Sequence, residues 1–313
     1  MFVLPEHFTP ARSRDEARAL FARSVKSVEV EVFTYCNRTC WFCPNAAIDR
    51  RSDNRYMDEA LYLRILSELA EVDYHHVVTY SRYNEPLADR VILTRLRQAR
   101  QALPLALLST HTNGDYLTRE YMEELCEAGL NRLHVMAYLG NDEEFADDAV
   151  LGRMEAKIAQ LGLPFEFTTR LPGVRYTARL RHETMTISLD ARNFRLIGTD
   201  RGKLVTLQPY VRTSPCAIVF EEMYVDWNGR VMPCCNLRSD APEHQGYVVA
   251  DLSEGTSIFE AYASSPLVEW RRSLFNVRPK RAPCDSCRHE LLDTSERSRR
   301  LIERLEAVIV PSE

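Results

Sequence analysis

The sequence predicts an α/β fold: a partial (β/α)6 TIM-type barrel followed by a small C-terminal domain with a β-hairpin and a helix. Short β-rich runs alternate with helical patterns from residue 28 to about 170. Polar and cysteine residues follow the first strands, and the alternation stops at about residue 180. Because right-handed crossovers curl a parallel sheet toward a barrel, we expect these strand ends to meet at one rim.

The first elements of the alternation are a strand at 28–34 and a helix at 57–72 with one apolar face. Further strands are predicted at 75–83, 105–112, 132–138 and 165–170, with helices at 88–102, 118–126 and near 148–161 and a last strand at 184–190. Thr118 is the expected N-cap of the helix that runs to Cys126, and Gly129 is the expected stop.

The C-terminal part has a different pattern of predicted elements. Residues 221–235 predict a β-hairpin that turns at Asn228–Gly229, and residues 257–275 predict a helix. An amphipathic helix is expected at 295–310. The predicted domains are therefore 1–210 for the barrel with an N-terminal extension, 211–290 for the small domain and 291–313 for a helical tail.

Charge and composition narrow the class of protein. The 40 basic and 45 acidic side chains give a net charge of −5, which argues against a nucleic-acid partner. There is neither a signal-peptide pattern at the start nor an apolar run long enough for a membrane, so we expect a cytoplasmic protein with no membrane partner. In that reducing compartment, its nine cysteines are expected to be metal ligands or catalysts more often than disulfides.

Three of these cysteines form the motif C-x3-C-x2-C directly after the first predicted strand: Cys36, Cys40 and Cys43. Three thiolates close together on a loop suit an iron–sulfur cubane, whose fourth iron then stays open to another ligand. The alternative is a zinc knuckle, for which a fourth ligand is expected nearby. The spacing favours an iron–sulfur cluster.

At this motif the sequence resembles the radical S-adenosylmethionine (SAM) superfamily. The resemblance implies a [4Fe–4S] cluster on the three cysteines, SAM on its open iron, and Phe42 beside the adenine. It also implies that Glu85, in Tyr83-Asn84-Glu85-Pro86, contacts the SAM amino group, although the family has two glycines before that glutamate. A flavodoxin- or ferredoxin-type protein is the implied reductant.

A second cysteine group lies between residues 216 and 287 and, on spacing alone, could bind either zinc or an iron–sulfur cluster. The order of a cysteine, a hairpin, Gly-x-x-x-Pro-Cys, a helix and C-x2-C resembles the twitch or SPASM domain of radical SAM enzymes. This resemblance implies an auxiliary [4Fe–4S] cluster. Its expected ligands are Cys216, Cys234, Cys284 and Cys287.

Within that superfamily the sequence is similar to dehydrogenases that act on aminocyclitols. The similarity implies oxidation of an alcohol in a small, hydroxylated and amine-bearing substrate: an aminocyclitol, amino sugar or aminoglycoside. It aligns Arg201 with an arginine that contacts the substrate alcohol. The Thr-Asn-Gly turn is also shared, which makes Asn113 a predicted cofactor-binding residue. Other polar strand-end residues that could line the pocket are His111, His134 and Tyr138.

Cys235 is a departure from those dehydrogenases. It could be an inert small residue, an alternative cluster ligand, or a hydrogen-atom donor of the kind that radical SAM epimerases use on aminoglycosides and peptides. An epimerase is therefore the first alternative function, and a non-catalytic iron–sulfur or zinc binding protein is the second. Cys126 is predicted to be a buried core residue.

Overall fold

The computed structural model describes residues 3–289, residue 291 and residues 295–309. Residue 310 of the predicted tail helix lies outside the described residues, as does part of the predicted 291–313 tail. The strands are β1 (Ser27–Val30), β2 (Val77–Thr79), β3 (Leu107–Thr112), β4 (Arg132–Met136), β5 (Phe165–Leu171), β6 (Arg175–Leu180), β7 (Thr186–Arg192), β8 (Glu222–Val225), β9 (Arg230–Met232) and β10 (Ala250–Asp251).

The α-helices alternate with the strands as far as β5. They are α1 (Arg14–Ser24), α2 (Glu59–Ala70), α3 (Val91–Ala102), α4 (Arg119–Glu127), α5 (Asp147–Leu161), α6 (Phe194–Ile197), α7 (Ile218–Glu221), α8 (Ile258–Tyr262), α9 (Ser265–Leu274) and α10 (Glu296–Ile309). Within the described residues, none of these helices has the length and apolar character that a membrane crossing requires.

The chain divides into two compact units. The barrel unit consists of Val30–Met57 and Asp73–Gly198, and the auxiliary unit consists of Met1–Glu29, Asp58–Val72 and Thr199–Glu313. The sequence-based domain bounds, which divide the chain near residue 210, stay a prediction.

The barrel unit contains a sheet in the order β2-β3-β4-β7-β6-β5. The pairs β2–β3, β3–β4 and β4–β7 are parallel, with helices α3, α4 and α5 in the connections. The alternation of strand and helix in the sequence therefore produces the expected parallel sheet. Apolar residues on one face of these strands, such as Leu108, Leu133 and Leu189, are buried.

The strand predicted at 165–170 does not extend the parallel series. This segment is β5, which pairs antiparallel with β6, and β6 in turn pairs antiparallel with β7. The reason is a tight turn at Gly173, where φ is +73°, that folds β5 and β6 into a hairpin. The next parallel strand after β4 is consequently β7, the segment expected at 184–190.

The strands of the auxiliary unit are ordered β10-β9-β8-β1. Strands β8 and β9 form the predicted hairpin, and Gly229 supplies the left-handed turn with φ of +82°. The helix predicted at 257–275 is two helices, α8 and α9, because Pro266 lies in the first turn of α9 and has no N–H to continue α8. Buried aromatic rings, including Phe21, Phe220 and Tyr262, form the core of this unit.

Candidate active site

The loop of three cysteines follows β1 and belongs to the barrel unit. Cys36 and Cys40 are buried, and Cys43 is half-buried at the start of a short 3₁₀ turn over Pro44–Ala46. Burial raises the pKa of the Cys36 thiol to about 11 and that of Cys40 to about 12. These buried sulfurs suit a positively charged metal cluster, because a metal stabilises the thiolate that burial alone disfavours.

A buried ion pair holds the base of this loop. Arg50 Nη1 donates to Glu31 Oε1 at 2.9 Å and to the carbonyl oxygen of Thr34 at 3.0 Å. The same Glu31 oxygen accepts the backbone N–H of Tyr83 at 3.2 Å, so it also holds the segment that follows β2. The Arg50 and Glu31 side chains are only 3% and 1% exposed. The pair therefore fixes the entrance and exit of the cysteine loop together.

The tip of the loop is attached to the turn after β3. Arg38 Nε and Asn37 Nδ2 each donate to Asp115 Oδ2 at 2.7 Å. Asn113 Nδ2 donates to Asn37 Oδ1 at 2.8 Å. Asn113, predicted to bind cofactor, thus contacts the cysteine loop directly, and the Thr-Asn-Gly turn orients the loop.

Glu85 lies buried just after β2, and its hydrogen bonds link this segment to the end of β3. One oxygen accepts the Thr112 hydroxyl at 2.5 Å and the Leu87 N–H at 3.0 Å, and the other accepts the Asn113 N–H at 2.7 Å. Burial raises the pKa of this carboxyl to about 7, against the opposing effect of these hydrogen bonds. A carboxylate has about four acceptor positions. Three are in use, which leaves room for one further donor.

Asn84, the residue before Glu85, is a polar group that sequence reasoning left unassigned. It is 9% exposed, and neither atom of its amide finds a hydrogen-bond partner among the described residues. Leaving a buried amide unpaired is costly, so such a group usually indicates an additional ligand. Asn84 occupies a position where the superfamily that the sequence resembles has glycine. This difference is the signal in the sequence that could have identified it.

Aromatic rings line an open cleft of about 240 Å³ beside the cysteine loop. Phe42 stacks on Phe194 with ring centroids 3.8 Å apart and planes 7° from parallel, and Tyr138 lies 5.1 Å from Phe42. Arg195 lies over the Trp41 ring at 4.9 Å. Flat rings of this kind suit an aromatic base. Phe194 was missed in the sequence, although its position just after β7 is again a parallel strand end.

A row of polar side chains crosses one face of the barrel-unit sheet. Strand register aligns His111 with His134, and His134 with Ser188. The two imidazoles are stacked 4.5 Å apart, and His134 Nδ1 lies 2.7 Å from Ser188 Oγ. The side chain of His111 is exposed to solvent on one side, and desolvation by the surrounding protein lowers its pKa. Desolvation also lowers the pKa of His134. Both rings are therefore neutral near pH 7 and can donate and accept hydrogen bonds.

The four predicted ligands of the second cluster meet in the auxiliary unit. Cys216, Cys234, Cys284 and Cys287 line one cavity together with Arg212, Asn236 and His289. Burial raises the pKa of Cys284 to about 12, and the neighbouring cysteines add to this effect. Residues up to 71 positions apart in the sequence are thus brought to a single sulfur-rich site.

Arg212 is a cation at this site that sequence reasoning missed. Its Nη2 donates to the Pro215 carbonyl at 2.7 Å, and its Nη1 donates to the His289 carbonyl at 2.6 Å and lies 3.7 Å from Cys287 Sγ. A buried guanidinium next to thiolates stabilises their negative charge. No pattern around residue 212 in the sequence indicates this contact.

Arg201 and Cys235 also lie in the auxiliary unit. Arg201 has φ of +49° and donates to Asn236 Oδ1 at 3.2 Å. Cys235 Sγ lies 3.8 Å from His289 Nε2.

Cys126, in contrast, belongs to the barrel unit and is half-buried, 2.9 Å from Thr184 Oγ1, so the prediction of a core residue is wrong. Its place at the C-terminal end of α4 leaves the sulfur at the surface.

The donor sets of both sites fit iron–sulfur cubanes. In the part of the chain that the structure describes, no group of three or more His, Cys, Asp or Glu side chains is arranged around a single metal ion. A cubane contacts each cysteine through a different iron, so its ligands need not converge on one point. Thiolates are also the ligands that iron–sulfur clusters select.

Family models match both regions. The model of the radical SAM superfamily matches residues 30–159, and that of an iron–sulfur cluster-binding domain, SPASM, matches residues 216–289. The chain contains a radical SAM domain. These domains imply a SAM-binding [4Fe–4S] cluster, an auxiliary iron–sulfur cluster and SAM, as predicted.

This radical SAM chain is similar to a curated protein, the S-adenosyl-L-methionine-dependent 2-deoxy-scyllo-inosamine dehydrogenase of Niallia circulans. The two are 32% identical over 136 residues, which cover 43% of this chain and 54% of the relative. The match thus spans about half of that relative's length.

Two solved structures share the fold. BtrN in complex with AdoMet and 2-DOIA has a TM-score of 0.58 at 23% identity, covering 80% of this chain and 87% of that one. The selenomethionine form of BtrN in an open conformation has a TM-score of 0.55 at 20% identity, covering 85% and 91%. The predicted α/β radical SAM fold is confirmed.

Proposed function

We propose that this protein is a radical SAM dehydrogenase that oxidises an alcohol of a small polyol: an aminocyclitol, an amino sugar or an aminoglycoside. The observation that carries the proposal is the cavity lined by Cys216, Cys234, Cys284 and Cys287, in addition to the C-x3-C-x2-C loop. A second cluster gives such an enzyme a place to deposit the electron that an alcohol oxidation releases. The name of the curated relative supports the polyol class.

In the barrel unit, Cys36, Cys40 and Cys43 are the proposed ligands of the SAM-binding cluster. When bound, the cluster and SAM supply a 5′-deoxyadenosyl radical, which takes a hydrogen atom from a substrate carbon. The fourth acceptor position of Glu85 and the buried amide of Asn84 hold the polar end of SAM. Rings of the aromatic cleft, led by Phe42, hold the adenine.

In the auxiliary unit, Arg201 acts on the substrate hydroxyl. After a carbinol carbon loses a hydrogen atom, it must still lose one proton and one electron to become a ketone. The guanidinium of Arg201 orients that hydroxyl and stabilises the negative charge that grows on oxygen as the proton leaves. The proton leaves to water and the four cysteines of the cavity hold the acceptor of the electron, so the atoms and charges balance.

The polar row of the barrel-unit sheet also supports a substrate of the polyol class. His111, His134 and Ser188 present neutral groups that both donate and accept hydrogen bonds. Such groups suit a substrate with many hydroxyls. A flavodoxin- or ferredoxin-type protein is the proposed source of the first electron.

The alternative is an epimerase, and one observation favours it. Cys235 Sγ lies 3.8 Å from an imidazole nitrogen of His289, and it is next to a proposed cluster ligand, Cys234. In an epimerase this thiol returns a hydrogen atom to the substrate radical, and the product has the same oxidation state as the substrate. The thiyl radical left on Cys235 then takes a proton from water and an electron from the flavodoxin- or ferredoxin-type reductant.

Product analysis in deuterated water separates the two functions. The chain is purified without oxygen, reduced, and given SAM and 2-deoxy-scyllo-inosamine. The dehydrogenase proposal expects about eight irons per chain, four for each cubane, and a ketone product. A redox-neutral product with one solvent deuterium, lost in Cys235→Ala, would instead establish the epimerase. Zinc in place of iron, with no cleavage of SAM, would contradict both.

A further inference from the structure

We propose that Asn236 is a positioning residue that joins Arg201 to the auxiliary cluster through the sulfur of Cys287 and raises the reduction potential of that cluster. The inference deepens the proposed function and depends on it, since it assumes that Cys287 binds a cluster. Neither the family models nor sequence reasoning assigns a role to this asparagine.

The amide of Asn236 has both of its ends engaged. Its Oδ1 accepts the Thr199 hydroxyl at 2.8 Å and Arg201 Nη1 at 3.2 Å. Its Nδ2 lies 3.8 Å from Cys287 Sγ, within range of an N–H···S hydrogen bond. The side chain is 3% exposed. Because two donors occupy the oxygen, the amide cannot turn over without losing both, and the N–H group stays directed at the sulfur.

The turn that carries Arg201 is fixed against the loop that carries the cysteine pair. Asp200 Oδ2 accepts the Ser286 hydroxyl at 2.5 Å, and Lys203 Nζ lies 2.8 Å from Asp285 Oδ1. Asp285 and Ser286 are the two residues between Cys284 and Cys287. Polar contacts therefore fix the turn of Arg201, the proposed substrate residue, to the loop of Cys287, a proposed cluster ligand.

Backbone geometry shows how tightly this turn is held. Arg201 and Lys203 have φ of +49° and +78°, which is unfavourable for residues with a side chain. A Cβ on Gly202 would lie 2.5 Å from Leu237 Cδ2 and 2.8 Å from His244 Nε2. The turn thus packs directly against the segment after Asn236. Strain of this kind persists only where the surroundings impose it.

Hydrogen bonds to cluster sulfurs tune iron–sulfur potentials. A reduced cluster carries one more negative charge than an oxidised one, so an N–H donor stabilises the reduced form more and raises the potential. Cys287 Sγ also lies near Arg212 Nη1 at 3.7 Å and the His289 N–H at 3.4 Å. Asn236 differs from these two donors in that its oxygen also accepts a hydrogen bond from Arg201.

The test is a redox titration that measures the midpoint potential of the auxiliary cluster and is monitored by electron paramagnetic resonance. The full chain carries Cys36→Ala, Cys40→Ala and Cys43→Ala, so that the auxiliary cluster alone gives the signal. Into this background Asn236→Leu is introduced, which keeps the size and removes the donor. Thr199→Val is the matched control, because it alters the same amide oxygen and leaves the N–H group in place.

The proposal expects Asn236→Leu to shift the midpoint to a more negative potential and Thr199→Val to shift it by less than half as much. If Asn236→Leu does not fold, Asn236→Ser is measured in its place, with the same expectation. An unchanged midpoint with about four irons per chain overturns the role of Asn236 and leaves the dehydrogenase proposal intact. No iron in the background chain would contradict the auxiliary cluster, and with it both proposals.

Discussion

The ring of Phe42 stacks on the ring of Phe194, with centroids 3.8 Å apart and an angle of 7° between their planes. Phe42 precedes the third cysteine of the triad, and Phe194 begins α6, directly after β7. The last parallel strand of the sheet thus delivers a ring to the cysteine loop. This contact gives the proposed adenine site a second aromatic residue.

We predict that Phe194→Ala weakens SAM binding about 2- to 10-fold, which corresponds to the loss of one aromatic contact. Equilibrium dialysis of labelled SAM against the anaerobic protein measures this. Phe167→Ala, which removes a ring from the hairpin strand β5, is the matched control and should bind SAM as the unsubstituted chain does. Equal dissociation constants for all three proteins would remove Phe194 from the proposed site.

Replacing Glu85 should change how stability depends on pH. Burial raises the pKa of Glu85 from 4.5 to about 7 in the folded chain. The folded state therefore binds the Glu85 proton more tightly than the unfolded state, and this tighter binding stabilises the fold. The stabilisation is fully present below about pH 4.5 and is lost as pH rises through about 7. The contribution changes by about 1.4 kcal/mol per pH unit inside that window.

Urea unfolding of the apoprotein between pH 5 and 7 measures this effect. Glu85→Gln has no proton to lose, so its stability should fall less steeply with rising pH than that of the unsubstituted chain. Glu120→Gln is the control, because the pKa of this exposed residue is lowered and lies outside the window. Parallel profiles for Glu85→Gln and the unsubstituted chain would show that Glu85 does not titrate there.

The buried pair of Arg50 and Glu31 should dominate the stability of the cysteine loop. Arg50→Met leaves Glu31 as a buried charge without its guanidinium, and we expect a loss of about 3–5 kcal/mol in the free energy of unfolding. The double substitution Arg50→Met with Glu31→Leu should recover part of that loss. Arg55→Met, from the exposed pair with Asp53, should cost less than about 1 kcal/mol. A small effect of Arg50→Met alone would argue against this role.

Arg201 should be needed for turnover more than for folding. Arg201→Lys keeps the positive charge but loses the planar fork, and we expect kcat for ketone formation to fall about 100-fold. Cleavage of SAM without coupling to product should persist. Arg230→Lys, in β9 of the same unit and paired with Asp251, is the control and should keep most of the ketone formation. Full activity of Arg201→Lys would reassign the guanidinium to a structural role.

Much of the fold could be predicted from local patterns. Strands and helices that alternate from residue 28 to 161 follow from hydrophobic spacing, and the Asn228–Gly229 hairpin follows from its turn residues. The β5–β6 hairpin could not be distinguished from another parallel strand, because a short β-rich run has the same composition in either direction. Its antiparallel pairing depends on the turn at Gly173, which brings the chain back beside β7.

The residues of the candidate site likewise include some that the sequence predicts and some that it does not. The C-x3-C-x2-C spacing is a strong signal by itself and names Cys36, Cys40 and Cys43. The four ligands of the second cluster, in contrast, are named only through the resemblance to twitch and SPASM domains. Phe194, Arg212 and Asn236 could not be named, because phenylalanine, arginine and asparagine occur at many positions and these three carry no spacing signal. Their roles depend on burial and on neighbours that are distant in sequence, such as Arg212 and Cys287, which are 75 positions apart. Only packing of the folded chain brings such pairs together.

Separating the two halves of the reaction tests the dehydrogenase proposal most directly. The measurement is the ratio of ketone to 5′-deoxyadenosine in Cys234→Ala, compared with the unsubstituted chain, both given SAM, 2-deoxy-scyllo-inosamine and dithionite without oxygen. The account predicts that the variant still cleaves SAM while its ketone yield falls at least about tenfold, because the proposed electron acceptor is lost. Ketone formed in full by Cys234→Ala, with no iron left in the auxiliary unit, would contradict it.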